Sequence, residues 1–156
     1  MNRMTRLISV ALAAVAVAGF AFAQTVLEPA AAEVARSANM KLRGAQMAVL
    51  GGMAQGETPY DAVAAQAAAD ELVAVLMVDQ STWWPLGSDS DTIENSRALP
   101  AIWANMDDVI AKATALSDAA TAMQAAAGVD LASLQGAMGA LGGACGSCHE
   151  TYRKPE

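Results

Sequence analysis

The most reactive side chains of this sequence stand together near its C-terminal end. Cys145 and Cys148 are the only two cysteines, and His149 is the only histidine. On a helix, residues three and four positions apart share one face, so both thiols and the imidazole can reach the same group. The spacing Cys-x-x-Cys-His is the pattern by which c-type haem is attached covalently. Cys145 and Cys148 would then form thioethers, and His149 would bind the iron on one side.

Three other chemistries use a similar pair of cysteines. A thioredoxin-like Cys-x-x-Cys belongs to a strand–helix pattern, and no segment of this sequence shows the alternation typical of strands. A structural zinc site requires about four ligands, and the motif offers fewer. A disulfide between Cys145 and Cys148 is chemically reasonable in an exported protein, but it leaves the position of His149 unexplained. The motif therefore favours haem c, one per chain.

The rest of the sequence has the periodicity of long amphipathic helices. Apolar residues recur at steps of three and four, and alanine, the best helix former, is abundant. We expect four helices, at about 29–55, 58–78, 99–127 and 130–154. The long connection over 79–98 contains Trp83 and Trp84, which indicate that part of it packs down. Four such helices predict an all-α fold, an antiparallel four-helix bundle with covalently bound haem.

The first residues have the composition of a targeting signal. Two arginines precede an apolar run that ends in the small-x-small triplet Ala21-Phe22-Ala23. This order predicts a signal peptide over residues 1–23 that is cleaved after export. An uncleaved membrane anchor is the alternative, because the run approaches the length of a span. Residues 24–156 would then form one four-helix-bundle cytochrome domain in a bacterial periplasm, with no membrane span.

Length and charge exclude further classes. The 156 residues correspond to one domain. They carry 16 acidic and 9 basic side chains, a formal net charge of −7. Because binding to nucleic acid requires a basic face, the composition excludes a nucleic-acid partner. An acidic protein instead favours a redox partner that presents a basic patch, and such an encounter is sensitive to salt.

Four stretches of the sequence resemble the class II c-type cytochromes, the cytochrome c-prime superfamily. Members of that family are exported four-helix bundles whose Cys-x-x-Cys-His motif lies close to the C-terminus. The resemblance extends over about residues 33–154 and is most specific in the last helix. The stretches are 36–40 (Arg-Ser-Ala-Asn-Met), 56–61 (Gly-Glu-Thr-Pro-Tyr-Asp), 100–103 (Pro-Ala-Ile-Trp) and 145–153 (Cys-Gly-Ser-Cys-His-Glu-Thr-Tyr-Arg).

The resemblance also bears on the second axial position of the iron. In this family the side chain four residues after a first-helix arginine lies over the iron, opposite the histidine. Arg36-x-x-x-Met40 places a methionine there, as in the low-spin branch whose thioether binds the iron. Arg43-x-x-x-Met47 repeats the spacing about 10 Å further along the helix, and periodicity alone does not choose between the two methionines. The number of residues between Met40 and the turn at Gly56-Glu57 resembles that of the low-spin branch. Met40 is therefore the favoured iron ligand, and Met47 is the runner-up.

A methionine-bound iron implies an electron carrier between periplasmic redox proteins. The sixth position is then filled, and the sequence has no second histidine for acid–base catalysis, so we expect no enzyme. The alternative is a five-coordinate, high-spin member of the same family that binds or sequesters NO or CO. Arg36 lies on the haem-side stripe of the first helix, where a buried charge requires a partner, either a haem propionate or a carboxylate of the bundle. The resemblance relates Arg153 to a basic residue beside the histidine-bound face of the haem in gas-binding members, and pairing with a propionate or a solvent-facing carboxylate is the alternative. Arg43 shares the haem-side stripe of the first helix. The resemblance also implies that a homodimer is possible, because family members often dimerise.

Overall fold

The computed structural model describes residues 26–155, so the predicted signal peptide lies outside the described residues. Within this range the regular secondary structure is helical, and the β-type pairing is limited to an isolated bridge between Ala98 and Arg153. No helix among these residues combines the length and the hydropathy that a bilayer span requires. The helices are α1 Pro29–Ala54, α2 Ala62–Leu76, α3 Ala101–Ala104, α4 Met106–Ala126 and α5 Leu131–Tyr152.

The four long helices form the predicted bundle. α1 packs against α2 and α5, and α4 packs against the same two helices. Neighbouring helices run antiparallel: Asn39 donates to the carbonyl oxygen of Val75 near the end of α2. Gln46, further along α1, donates to Glu71, which precedes Val75. The crossover, residues 77–100, joins α2 to α3 and lies over the end of the bundle at which α1 begins and α5 ends.

The hydrophobic core is concentrated in the half of the bundle away from the Cys-x-x-Cys-His motif. Fully burying a large aliphatic side chain contributes about 1.5–3 kcal/mol to folding. On α1 no side chain between Asn39 and Leu50 is fully buried, and on α5 none is between Leu141 and Tyr152. Packing is therefore dense at one end and looser at the level of the motif. The core cluster consists of Leu50, Met53, Ala65, Ala68, Ala69, Leu72, Ala120, Met123, Ala127, Leu134 and Leu141.

The second helix begins later than the sequence predicts. Asp61 has extended backbone angles, and its carboxylate accepts a hydrogen bond from the Ala64 N–H at 2.8 Å, so Asp61 is the N-cap. The Thr58 N–H instead donates to the carbonyl oxygen of Gly52 and helps to close the end of α1. Gly56, with φ of +76°, allows the chain to reverse between α1 and α2. The predicted start of this helix near residue 58 was wrong because Thr58 belongs to the turn that follows α1.

The third predicted helix, 99–127, is interrupted at Asn105. This residue leaves the helical region (φ −136°, ψ 40°) and separates the short α3 from α4. Within α3 the Trp103 side chain donates from Nε1 to the carbonyl oxygen of Trp84 in the crossover, at 3.0 Å. The prediction of one continuous helix was wrong here, because packing against the crossover overrides a periodicity that runs unbroken through the sequence.

Candidate functional site

The two cysteines of the motif lie in the last turns of α5, as predicted. Both are free thiols and half-buried. Burial raises the pKa of each thiol; the positive charge of Arg43 opposes the shift at Cys145, and that of Lys112 opposes it at Cys148. Two reduced thiols on one helical face meet the requirement for two thioether bonds.

His149 follows directly and is held in the neutral form that binds a metal ion. Its burial lowers the pKa of the imidazole, and positive charge in its surroundings lowers it further. A neutral ring nitrogen retains the lone pair that coordination requires. The charges that act on it belong to Arg153, Arg97 and Arg43.

The alignment of α1 against α5 is defined at the far end of the bundle. Gln135 Nε2 donates to the carbonyl oxygen of Ala54 at 2.8 Å. A Cβ atom on Gly51 would lie 3.9 Å from the terminal methyl of Met138. Both pairs describe the same antiparallel register, in which three residues back along α1 correspond to three residues forward along α5. Helices that share a rise of about 1.5 Å per residue keep such a register along their length.

This register separates the two candidate methionines. Continued towards the motif, it brings Met40 level with His149 and Met47 level with Gly142. The environments differ in the same sense, because Met47 packs against the core cluster whereas 41% of the Met40 side chain is exposed. The extended register and the packing of Met47 against the core cluster both favour Met40 as the methionine nearer the imidazole.

Arg43 lies between these two methionines and points to the motif. The register places it level with the residues between Cys145 and Cys148, and its charge acts on both thiols. Burial lowers the pKa of its guanidinium, and its Nε is buried without a hydrogen-bond partner among residues 26–155. A buried cation that lacks a partner is costly, so this position suits an anionic group beside the motif.

These features fit a haem. The donor set consists of two reduced thiols, one neutral imidazole and one thioether at the same level on the facing helix. The side chains around them are less buried than those of the core cluster, and the buried Arg43 donor can bind a propionate. Cys145, Cys148 and His149 are the residues that would hold the group covalently and by the iron. A bound porphyrin would supply the apolar surface that this end of the bundle does not bury by itself.

Arg36 is held by the crossover. Its Nη1 donates to the carbonyl oxygen of Trp83 at 2.5 Å and to Ser88 Oγ at 2.9 Å, and its Nη2 donates to the carbonyl oxygen of Ser88 at 2.6 Å. The guanidinium carbon lies 4.9 Å from the ring centroid of Trp84 and 5.8 Å from that of Trp103. Nothing in the sequence singled out Ser88 as the partner. The predicted propionate contact of Arg36 stays a prediction.

Arg153 lies directly after α5. Its backbone N–H donates to the carbonyl oxygen of His149 at 3.1 Å, which closes the last turn, and its side chain is exposed. Its charge lowers the pKa of His149. The contact with the haem that the resemblance assigns to Arg153 stays a prediction.

A buried tyrosine completes this end of α5. The Tyr152 hydroxyl donates to Asp108 on α4 at 2.7 Å, and Lys112 lies 3.7 Å from the same carboxylate. The hydrogen bond to Asp108 raises the pKa of Tyr152 to about 12. Sequence periodicity does not reveal this link, because it depends on the alignment of α4 with α5.

We expect this hydrogen bond to make folding stability fall at high pH. The unfolded chain releases the tyrosine proton near pH 10, whereas the folded protein holds it to about pH 12. Between these values the unfolded state binds fewer protons, so stability decreases as the pH rises. Denaturant midpoints of the wild type should fall more steeply across this window than those of Tyr152→Phe. Parallel curves for the two proteins would contradict the assignment.

Comparisons with known proteins identify the family of this chain. The family model described as Cytochrome C' matches residues 31–153. The chain belongs to the cytochrome c' family. Cytochrome c-554 from Cereibacter sphaeroides is 50% identical over 117 residues, which cover 75% of this chain and 76% of that protein. As a member of this family of c-type cytochromes, the protein carries covalently bound haem c.

Solved structures of the family share the bundle. A cytochrome c' from Rhodobacter Spheriodes superimposes with a TM-score of 0.81 at 35% identity, covering 83% of this chain and 100% of that one. Another cytochrome c', described as having a ligand-controlled dimer dissociation, superimposes with a TM-score of 0.74 at 26% identity, covering 83% and 98%. The predicted family and its four-helix-bundle architecture are thereby confirmed.

Proposed function

We propose that this cytochrome is a one-electron carrier whose haem iron is bound by His149 on one side and by Met40 on the other. The observation that supports the proposal is the register of α1 and α5 at the far end of the bundle, which, extended towards the motif, favours Met40 over Met47 as the partner of His149. The cofactor supplies an iron centre that gains and loses one electron. Met47, packed in the core cluster, acts as a core residue.

The thioether of Met40 suits an electron carrier for two reasons. Occupying the sixth position leaves no site for a substrate or gas, so the protein works as a carrier and not as an enzyme. A neutral sulfur ligand does not compensate the extra charge of ferric iron, which raises the reduction potential relative to a thiolate ligand. The half-buried surroundings of Cys145, Cys148 and His149 act in the same direction, because low dielectric also disfavours the more highly charged state.

We further propose that the protein acts in the periplasm. The targeting signal over residues 1–23 directs export, and cleavage after Ala23 releases the domain that begins at Gln24. Both thiols must be reduced when haem is attached, and the two cysteines of this structure are unpaired. Haem attachment after export is consistent with both features.

Its partners are other redox proteins of that compartment. The net charge of −7 and the exposed Asp107, Asp108 and Glu150 at the motif-bearing end suit a partner with a basic patch.

A second copy of the chain is a further partner. The outward face of α1 exposes 63% of Val34, 53% of Leu42 and 39% of Val49, and such an apolar stripe suits pairing into a homodimer.

One observation favours a second candidate function. A protein named cytochrome c', from Cereibacter sphaeroides, is 36% identical to this chain over 119 residues, and the register of the helices alone does not require the Met40 sulfur to bind the iron. Without a bond from that sulfur, the protein would be a five-coordinate, high-spin member of the family that binds or sequesters NO or CO.

The absorption and electron paramagnetic resonance spectra of the oxidised protein distinguish the two functions. The carrier should show a sulfur-to-iron charge-transfer band and a low-spin signal at neutral pH, and the reduced protein should bind CO slowly. A high-spin spectrum, together with fast and stoichiometric CO binding, would overturn the carrier function in favour of the gas-binding one.

A further inference from the structure

We propose that the crossover is a strap that holds α1 and α5 at a fixed separation at the level of Met40 and His149, and that Arg36 is the positioning residue that fastens it to α1. This inference rests on the proposed ligation by Met40. Arg36 acts through the backbone that carries the ligand and has no contact with the iron in this role.

On the α1 side the strap is fastened one helical turn before Met40. Three hydrogen bonds join the Arg36 guanidinium to Trp83 and Ser88 of the crossover. Only 7% of the Arg36 residue is exposed, and hydrogen bonds from a charged donor in such surroundings are about twice as strong as neutral ones. Residues four apart lie one above the other on a helix, so fixing Arg36 restrains the position of Met40.

On the α5 side the strap is fastened one turn after His149. The Leu99 N–H donates to the carbonyl oxygen of Tyr152 at 3.0 Å, and the Lys154 N–H donates to that of Arg97 at 2.8 Å. The Arg97 side chain adds hydrogen bonds from Nε and Nη2 to the carbonyl oxygen of Lys154, at 3.0 and 2.8 Å. This short antiparallel pairing attaches the end of the crossover to the helix that carries the haem motif.

Between the two attachments the crossover is bonded to itself. The Ser96 hydroxyl donates to the carbonyl oxygen of Ser88 at 2.9 Å, and that oxygen also accepts from Arg36. The Ser90 N–H donates to the carbonyl oxygen of Ala98 at 2.8 Å. Ser88 and Ser96 are buried. A nearly continuous series of hydrogen bonds therefore runs from Arg36 through Ser88 to the segment that pairs with Tyr152.

At the level of the motif the crossover is hydrogen-bonded both to α1 and to the end of α5. At the far end the two helices are joined by the Gln135 hydrogen bond to Ala54 and by the core cluster. The separation of the two axial ligands thus depends on the crossover, and loosening it should allow the Met40 sulfur to leave the iron more often.

The test compares Arg36→Leu with Gln135→Ala in the haem-loaded protein. Both variants remove a link to α1, but only Arg36 fastens the crossover, whereas Gln135 joins the same two helices at the far end. The rate of CO binding to the reduced protein measures how often the sixth position opens. Arg36→Leu should raise this rate by about tenfold or more and weaken the sulfur-to-iron band, as expected for the loss of charge-assisted hydrogen bonds.

Two milder variants keep the test valid if Arg36→Leu does not fold. Ser88→Ala removes one acceptor of the guanidinium and should raise the CO rate by a smaller factor. Arg36→Lys retains the charge but loses the fork of donors and should restore part of the wild-type rate.

Equal CO rates for Gln135→Ala and the Arg36 variants would overturn the strap, because the effect would then follow general stability. A wild-type rate of CO binding in all the Arg36 and Ser88 variants would also overturn the strap. A wild-type protein that lacks the sulfur-to-iron band contradicts the proposed function itself and removes the basis of the strap, so the two failures are distinguishable.

Discussion

Replacing Met40 with leucine should convert the protein from a low-spin to a high-spin haem protein that binds CO rapidly. In the wild type, CO binds only while the sulfur is away from the iron. Minor conformations of this kind are typically populated at about 0.1–10%, and they reduce apparent binding in proportion. Removing the sulfur should therefore accelerate CO binding by about 10- to 1,000-fold, and the sulfur-to-iron band should disappear.

Met47→Leu is the matched control for this result. It makes the same change of side chain on the same face of α1, two turns further along and against the core cluster. Its volume is nearly conserved, so the stability cost should be below about 1.5 kcal/mol. The charge-transfer band and the slow CO binding should remain. Loss of the band in Met47→Leu but not in Met40→Leu would show that the register has been assigned to the wrong methionine.

Removing the charge of Arg43 should lower the reduction potential of the haem. The guanidinium is half-buried at the level of Cys145 and Cys148, and a positive charge favours the ferrous state. For charges on the order of 10 Å apart, an effective dielectric constant of about 20 gives an interaction of about 1.7 kcal/mol. For one electron this corresponds to about 70 mV. Spectroelectrochemical titration should find Arg43→Leu lower than the wild type by about this amount.

Lys41→Leu is the control for the charge itself. Lys41 lies two residues from Arg43 on the same helix, but its side chain faces solvent. Water and salt screen a charge at such a position, so its removal should change the potential by much less than the removal of Arg43. Arg43→Lys should stay closer to the wild type than Arg43→Leu because the charge is kept. Equal shifts in Arg43→Leu and Lys41→Leu would exclude a specific role for the buried guanidinium.

The haem attachment site and the class of fold follow from the sequence because both depend on local spacing. Cys145, Cys148 and His149 lie within two turns of one helix, so their mutual position is defined once that helix forms. The stripes of apolar residues at steps of three and four likewise predict four long helices and their buried faces. The bundle and the family are confirmed by the structure and by its relatives.

Where helices begin, break or meet depends on contacts between distant segments. The α2 cap at Asp61 is favoured over Thr58 because the end of α1 takes up the Thr58 N–H. The break at Asn105 accompanies the hydrogen bond from Trp103 to the crossover. The first contact closes a turn and the second joins residues 19 apart in sequence, and the periodicity of apolar residues contains no record of either.

The level of each side chain along the bundle was also decided by tertiary structure. Met40 and Met47 occupy the same face of α1, and the sequence cannot place α1 along α5. The hydrogen bond from Gln135 to Ala54 and the approach of Met138 to Gly51 indicate that register. For the same reason the sequence indicated a charged residue at Arg36 but not its partners in the crossover. A periodic pattern defines a face of a helix, whereas packing between helices defines the height at which that face meets its neighbour.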